Sequence, residues 1–213
     1  MAFEVQRKEM IEKQLKSRGI QDGLVLKAME KVERHRFVEE ALRSQAYEDR
    51  ALPIGHGQTI SQPYMVAIMT QSLALRGKEK ILEVGTGSGY QAAVLAEICE
   101  KVFTIERNPD LARRARAILD QLGSQNIALR VGDGTMGWKE FSPFDGIMIT
   151  AGSPVIPSHL IEQLKIGGKL VIPVGDRELQ RLKVLEKFED GINENEVCDC
   201  TFVPLIGREG WKE

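Results

Sequence analysis

What the sequence lacks narrows its chemistry first. It holds three cysteines, Cys99, Cys198 and Cys200, among 213 residues. So small and odd a number argues against a disulfide scaffold and for reduced thiols in a cytoplasmic protein. Cys198-Asp199-Cys200 would set two thiols on one face of a strand, but no His or Cys nearby in sequence completes a ligand set. The pair reads as small strand residues, and no metal is expected. No apolar run approaches the roughly 18 residues that span a bilayer. The charged opening MAFEVQRKEMIEKQL is unlike a signal peptide, so no membrane role is expected. Charge excess is also missing: the net charge is −2 and the pI near 6.0. That argues against a nucleic-acid partner held by bulk electrostatics. There is no internal repeat, no low-complexity tract and no GxxxxGK[ST] phosphate loop.

What is present reads as one α/β domain. Hydrophobic residues make up 42% and charged residues 28%, ordinary for a globular chain with one substantial core. The first fifty residues look helical. A helix over 5–18 should stop at Gly19, and Asp22 should start another over 23–32 with Leu24, Ala28 and Val32 on one side. Phe37-Val38 and Ala41-Leu42 suggest a further short turn. A polar, Pro/Gly-rich loop spans 47–62. From Lys80 the rhythm alternates. Strands are expected at 80–84, 101–106, 127–131, 144–150 and 169–173, and helices at 90–100, 109–122 and 157–164. Such alternation implies a parallel sheet with right-handed crossovers. Residues 180–189 and 196–206, parted by Asp190-Gly191 and an Asn-rich bend, read as a hairpin. The expected fold is a doubly wound, mostly parallel, Rossmann-like sheet with N-terminal helices and an antiparallel C-terminal hairpin. Within it, 1–79 is the helical segment and substrate loop, 80–178 the cofactor-binding core and 179–213 the hairpin.

The sharpest motif is ILEVGTGSGYQ, residues 81–91. Its loop, Gly85-Thr86-Gly87-Ser88-Gly89, follows a strand and opens a helix, where glycines let backbone approach a ligand. It is not the dinucleotide form GxGxxG, because Tyr90 stands where the last glycine would be. Glu106 ends the next strand and can accept bonds from ribose hydroxyls, in the manner of acids at a switch-point crevice. Gly132 and Asp133, in VGDGT, end the third strand, where an adenine amino group could be received. An adenosine ligand suits all three. Glu83 would add negative charge near the loop, suiting a sulfonium and repelling a pyrophosphate; its bland reading is a buried-edge acid paired with Lys80 or another base. S-adenosylmethionine is therefore favoured over a nicotinamide dinucleotide.

A second segment, GHGQTISQPYM at 55–65, precedes an apolar run. Ser61 and Pro63 make a good helix start, so Ser61 reads either as a cap or as a site residue. His35, His56 and His159 invite catalytic readings. His56 lies on this loop; the other two read as surface or partly buried helical residues.

The segments ILEVGTGSGYQ, VGDG, PFDGIMIT, GGKLVIPVG and FVPLIG resemble the motif series of the class I methyltransferases. With ALPIGHGQTISQPYM ahead of them, the chain resembles the protein-L-isoaspartate O-methyltransferase family from about residue 10 to 206. The glycine loop is shared across the class, whereas GQTISQP points to this family. The resemblance implies methyl transfer from S-adenosylmethionine to the α-carboxylate of L-isoaspartyl residues in damaged proteins and peptides. The ester then closes to a succinimide, which initiates repair. It also implies that Ser61 is the active-site residue and that Gln58, Thr59 and Ile60 lie beside the cofactor. Ser88, Glu106, Arg107, Gly132 and Asp133 fall on cofactor-contact positions. Leu52-Pro53-Ile54 could form an apolar wall beside the substrate, next to Ser61.

A carboxylate nucleophile, with a reference pKa near ~4, is already ionised at neutral pH and needs no strong base. Ser61 is expected to donate a hydrogen bond to it, helped by the amides of the helix starting near Pro63. The chain is expected to act as a monomer. Two other readings remain open: a small-molecule or RNA methyltransferase on the same fold, and a cofactor-sensing module that transfers nothing.

Overall fold

A computed structural model of the chain describes residues 2–212. Helix α1 (Ala2–Glu9) runs into a π-helical stretch at Met10–Leu15 and a 3-10 turn at Lys16–Arg18, ending on Gly19. One expected helix is thus three geometries in succession. The widened stretch buries Met10, Ile11 and Leu15 together. Helix α2 (Gly23–Lys31) starts as expected: the Asp22 carboxylate accepts the Leu24 and Val25 amides. Its core face is Val25, Ala28 and Met29, however, and Leu24 is 41% exposed. Two 3-10 turns follow, at Arg34–Phe37 and Glu40–Gln45.

The segment read as an open loop, 47–62, contains a hairpin. Strand β1 (Leu52–Gly55) pairs antiparallel with β2 (Gln58–Ile60), Leu52 opposite Ile60. Leu52, Ile54 and Ile60 point inward and Pro53 outward. Gly55, His56 and Gly57 all turn with positive φ, which buries nothing and keeps the hairpin tight. Helix α3 (Pro63–Ser72) then begins, but not on Ser61. The capping position is Gln62, which makes no side-chain cap. Asp49 supplies it instead, its Oδ1 accepting the Tyr64 amide at 3.1 Å.

The sheet follows in chain order. It comprises β3 (Lys80–Val84), α4 (Tyr90–Ala96), β4 (Lys101–Glu106), α5 (Pro109–Gln121) and β5 (Ile127–Val131). Then come β6 (Phe144–Ile149), α6 (Ser158–Glu162), β7 (Leu164–Gly175), β8 (Gln180–Lys187) and β9 (Ile192–Cys200). Spatial order is β5-β4-β3-β6-β7-β8-β9. The first five of these are parallel, and β8 and β9 add an antiparallel edge. The doubly wound expectation holds. Alternation divides the core: Ile81 faces the helices α1–α5, while Leu82 and Val84 face the layer containing α6 and the Phe103–Trp138–Phe144 aromatics. The last strand ends at Cys200 rather than 206, and residues 203–206 leave the sheet. Cys198 lies opposite Leu182 in β8, and Cys200 donates to the Gln180 carbonyl.

Chain order places the site. β4 and β5 stack on one side of β3 and β6 on the other, so the winding reverses between β3 and β6. Ligands of open parallel sheets bind outside the carboxyl ends of the strands at such a point.

Candidate active site

A cleft opens there. Its open space, with the solvent-filled mouth included, amounts to about 1040 Å³. Its floor is the glycine loop from Gly85 to Ser88 and the end of β4, Ile105 to Asn108. One wall is Gln58, Thr59, Ile60 and Ser61 with Val66 and Met69 of α3. The opposite wall is Thr150 and Ala151 after β6, together with residues 203–206.

The floor is fixed by its own hydrogen bonds. Gly85 and Thr86 donate to the Ile105 carbonyl, at 2.9 and 3.3 Å. Gly87 donates to Glu106 Oε2 at 2.8 Å, and Tyr90 to the Ser88 hydroxyl at 3.2 Å. Gly85 must lack a side chain, because a Cβ there would stand 2.4 Å from Thr150 Oγ1. That hydroxyl donates to the Gly85 carbonyl at 2.6 Å and ties β6 to the loop. With so many amides engaged, the loop is a poor phosphate cradle. It suits a ligand whose charge is not on phosphate, as the sequence suggested.

Glu106, 7% exposed, presents the acid of the cleft floor. Its two oxygens accept the Gly87 and Asn108 amides, which fixes its rotamer and leaves lone pairs for hydroxyl donors. Ser61 is half-buried on the facing wall, and among the described residues its hydroxyl makes no hydrogen bond. Gln58, Thr59, Ile60, Thr86, Gly87, Ser88 and Arg107 also border the cleft, so the two sequence motifs meet across it.

Several expected site residues lie elsewhere. Glu83 is fully buried beneath the loop, and among the described residues no ion pair joins it to Lys80, whose ammonium lies 5.6 Å over the Phe144 ring. Burial pushes its carboxyl up to about 8, with nearby Glu106 adding to the shift and the Thr104 hydroxyl opposing it. It therefore brings little negative charge at neutral pH. A chain of hydroxyls leads from it to the cleft: Thr104 donates to Glu83 at 2.5 Å, and Thr86 sits 2.6 Å from Thr104. Gly89 lies off the cleft, and a Cβ on it would stand 3.2 Å from Ala115 of α5, so it serves helix packing. Gly132 and Asp133 border a neighbouring surface hollow. The Asp133 carboxylate is partly engaged: Oδ1 accepts the Thr135 amide and hydroxyl, and Oδ2 the Arg208 amide, which leaves Oδ2 a lone pair. Leu52 is in the core and Pro53 faces outward. Ile54 borders a second cavity on the far side of Gly87 and Ser88, with Phe37 and Leu111. None of 52–54 borders the cleft itself: alternation sends Leu52 and Ile54 to one side of β1 and Pro53 to the other.

Of the histidines, His56 reaches the cleft and lies 3.9 Å from Asp110. His35 stacks on Phe3 and bonds Tyr47. His159 bonds Glu209 at 2.7 Å. Sequence reasoning did not assign Thr150 or residues 203–206 to the site. Thr150 could have been found as the residue closing the strand on the other side of the switch; 203–206 were hidden in a strand assignment.

Comparison with known proteins decides the family. The family model described as Protein-L-isoaspartate(D-aspartate) O-methyltransferase (PCMT) matches residues 5–210. The chain belongs to this family. It is 58% identical to a protein-L-isoaspartate O-methyltransferase of Syntrophotalea carbinolica, over 100% of this chain and 99% of the relative. A Syntrophus aciditrophicus relative of the same name is 57% identical over 98% of this chain and 97% of its own. Among solved structures, a putative Plasmodium falciparum enzyme of this kind in complex with S-adenosyl-L-homocysteine superposes with TM-score 0.82. It is 27% identical, with 96% of this chain and 98% of that one covered. Membership makes this chain an S-adenosylmethionine-dependent protein carboxyl methyltransferase acting on isoaspartyl residues.

Proposed function

We propose that methyl transfer takes place in the cleft between Ser61 and the glycine loop, and that the accepting group is the α-carboxylate of an L-isoaspartyl residue. The cofactor fits the residues present. Glu106 offers acceptors to the ribose hydroxyls, and the engaged loop amides leave no phosphate cradle. Gln58, Thr59, Ile60 and Arg107 flank the same space. When bound, S-adenosylmethionine supplies a methyl group activated by its sulfonium.

The protein's part is positioning. A carboxylate is a competent nucleophile once an oxygen is aligned behind the methyl carbon and water is excluded. Such alignment contributes roughly 7–11 kcal/mol in favourable cases. Ser61 carries the reading, because it places a hydroxyl with no partner among the described residues on the wall facing the cofactor floor. That hydroxyl donates to the substrate carboxylate and fixes its approach. The α3 amides help less than expected, since Asp49 already takes the Tyr64 N–H. No histidine is needed as a base. Isoaspartyl proteins and peptides are the partners. The protein works as a cytoplasmic monomer and needs neither nucleic acid nor membrane; no described helix is long and apolar enough to cross one.

The test uses labelled cofactor with an isoaspartyl peptide, its aspartyl twin and tRNA. Alkali-labile label on the first alone is expected. Ser61→Ala should lower kcat about 10- to 100-fold, the worth of a hydrogen bond to a charged group. Cofactor affinity should stay within twofold. An unchanged kcat would remove Ser61 from the mechanism.

A further inference from the structure

Behind the glycine loop lies a second cavity that methyl transfer leaves unused. Helix α5 supplies one wall. Leu111, Arg114 and Ile118 are spaced by three and four residues, so they form one stripe along the helix. The turn at Arg34–Phe37 and the two residues after it supply the other wall, with Arg36, Phe37, Val38 and Glu39. Alternation in β1 turns Ile54 into the same space, and Gly87 and Ser88 close it on the loop side. Its open space, mouth included, is about 480 Å³, against about 1040 Å³ for the cleft. It therefore takes a group of side-chain size rather than a nucleoside.

The lining is apolar within and cationic at the rim. Phe37, Val38, Ile54 and Leu111 are buried, whereas Arg114 and Glu39 are exposed and Arg36 is half-buried. Two guanidiniums thus stand against one carboxylate. Among the described residues Arg114 makes no hydrogen bond or ion pair. The Arg36 guanidinium meets Glu33 at 3.9 Å, too long for a hydrogen bond. A guanidinium presents a fork that matches a carboxylate. An apolar hollow under such a rim suits an anion on an apolar body and repels a cation.

An occupant would be felt in the cleft. Gly87 and Ser88 border both spaces. Ile54 lies on the loop, where a Cβ on Gly87 would stand 3.6 Å from its Cδ1. Phe37 meets the Tyr90 ring edge-on at 5.4 Å, and Tyr90 borders the cleft. Arg114 lies against the tip of the β1–β2 hairpin: a Cβ on Gly55 would stand 3.3 Å from its Nη2. The second strand of that hairpin carries Gln58, Thr59 and Ile60 along the cleft wall.

We propose that this cavity is a second ligand site, taking a carboxylate carried on a small apolar body, and that its occupant braces the glycine loop and the hairpin from behind and so tightens cofactor binding. The coupling rests on the reading that the cofactor lies in the cleft; the site itself does not.

The experiment titrates 3-phenylpropionate into the full chain by calorimetry, first alone and then with saturating S-adenosylhomocysteine. Its uncharged amide and 3-phenylpropylamine are the controls. One saturable site per chain is expected for the acid and none for the amine. The amide should bind about fivefold more weakly than the acid, the upper worth of an exposed ion pair. Arg114→Ala should weaken the acid by the same factor and leave the amide unchanged. Ile118→Trp, which fills the cavity, should abolish both. Each variant is checked for a native melting transition, and Arg114→Gln gives the same charge test should the alanine variant fail to fold. The acid should tighten S-adenosylhomocysteine about fivefold, and the homocysteine should tighten the acid by the same factor, as linkage requires.

No saturable binding, or acid binding unaltered by both Arg114→Ala and Ile118→Trp, overturns the site. Displacement of the acid by S-adenosylhomocysteine does so too, since the acid would then sit in the cleft. Acid binding that leaves the affinity for S-adenosylhomocysteine unchanged overturns the coupling. Glu106→Ala keeps the two readings apart: unchanged affinity for S-adenosylhomocysteine there sinks the cleft assignment, while acid binding to the cofactor-free protein still stands or falls alone. An isoaspartyl peptide bearing a nearby glutamate separates the sources of the carboxylate. Competition with the acid that disappears when the glutamate is replaced by glutamine means that the substrate presents the group; independent binding means that a free acid does.

Discussion

Glu83 is the residue whose surroundings most contradict its formal chemistry. It is a carboxyl with no exposed surface, one of its oxygens has no partner among the described residues, and a threonine hydroxyl is bonded to the other. Burial raises its folded-state value to about 8, far above the unfolded range. The sign of the linkage follows. Below about pH 4.5 both states hold the proton and the contribution is fully present. Between there and about 8 the unfolded state has lost the proton while the folded state keeps it, so stability falls as pH rises, by at most about 1.4 kcal/mol per unit. Glu83→Gln is neutral throughout and keeps an acceptor for Thr104. Urea unfolding from pH 5 to 8.5 should show the variant gaining on the parent as pH rises, then running parallel above about 8. Parallel curves across the range would mean that the carboxyl is ionised in the folded protein.

At the scale of the element, α3 explains how Ser61 is held without being a cap. Asp49 bridges two neighbours: Oδ1 takes the Tyr64 amide and Oδ2 pairs with Arg18, whose guanidinium lies 3.5 Å over the Tyr64 ring. The clamp fixes the first turn of α3, and the hairpin β1–β2 fixes the residues just before it. Ser61 hangs between these two anchors. Asp49→Ala should cost about 1 kcal/mol, the usual worth of a lost cap, and lower the melting point by roughly 2–4 °C. It should also reduce kcat by a larger factor than it raises the cofactor KM, because the loosened wall carries Ser61 while Glu106 and the glycine loop are left in place. Asp49→Asn, an equally good cap type, should restore most of both. A fall in stability without any change in kcat would make the clamp structural only. None of this was legible in the sequence. Ser61 followed by Pro63 is the local signature of a helix start, and the residue that wins the capping role comes from a distant turn that only the fold brings near. The hairpin was hidden for a related reason: strands of four and three residues carry too little alternation to stand out against glycine and proline.

For the whole molecule, the parallel strands were legible because each is a short buried run followed by a helix, and β3, β4 and β5 fall where their sequence placed them. The place of Glu106, at the end of β4 and beside the cleft, could be read as well, since the end of a strand is a position that the pattern itself marks. The contact of the third-strand acid with the Arg208 amide could not be read, because that partner lies far along the chain and leaves no local trace. A similar limit applies to the division of the chain at residue 79. One continuous cluster joins Met10, Val25, Met29 and Phe37 to Tyr90, Val94, Met148 and Val171, so the N-terminal helices cover a face of the sheet that would otherwise be open to water. The α2 residue Met29 even accepts the Tyr90 hydroxyl, and Arg34, fully buried, lies 5.0 Å over that ring. Such a chain should unfold as one unit. Both tryptophans, Trp138 and Trp211, report only on the half beyond residue 79, whereas far-UV circular dichroism reads the N-terminal helices too. In urea the two signals should change together, with one midpoint and one slope. Loss of helical signal ahead of the fluorescence change would show that 1–79 melts from an intact sheet, and that the shared core holds the halves together less tightly than its burial implies.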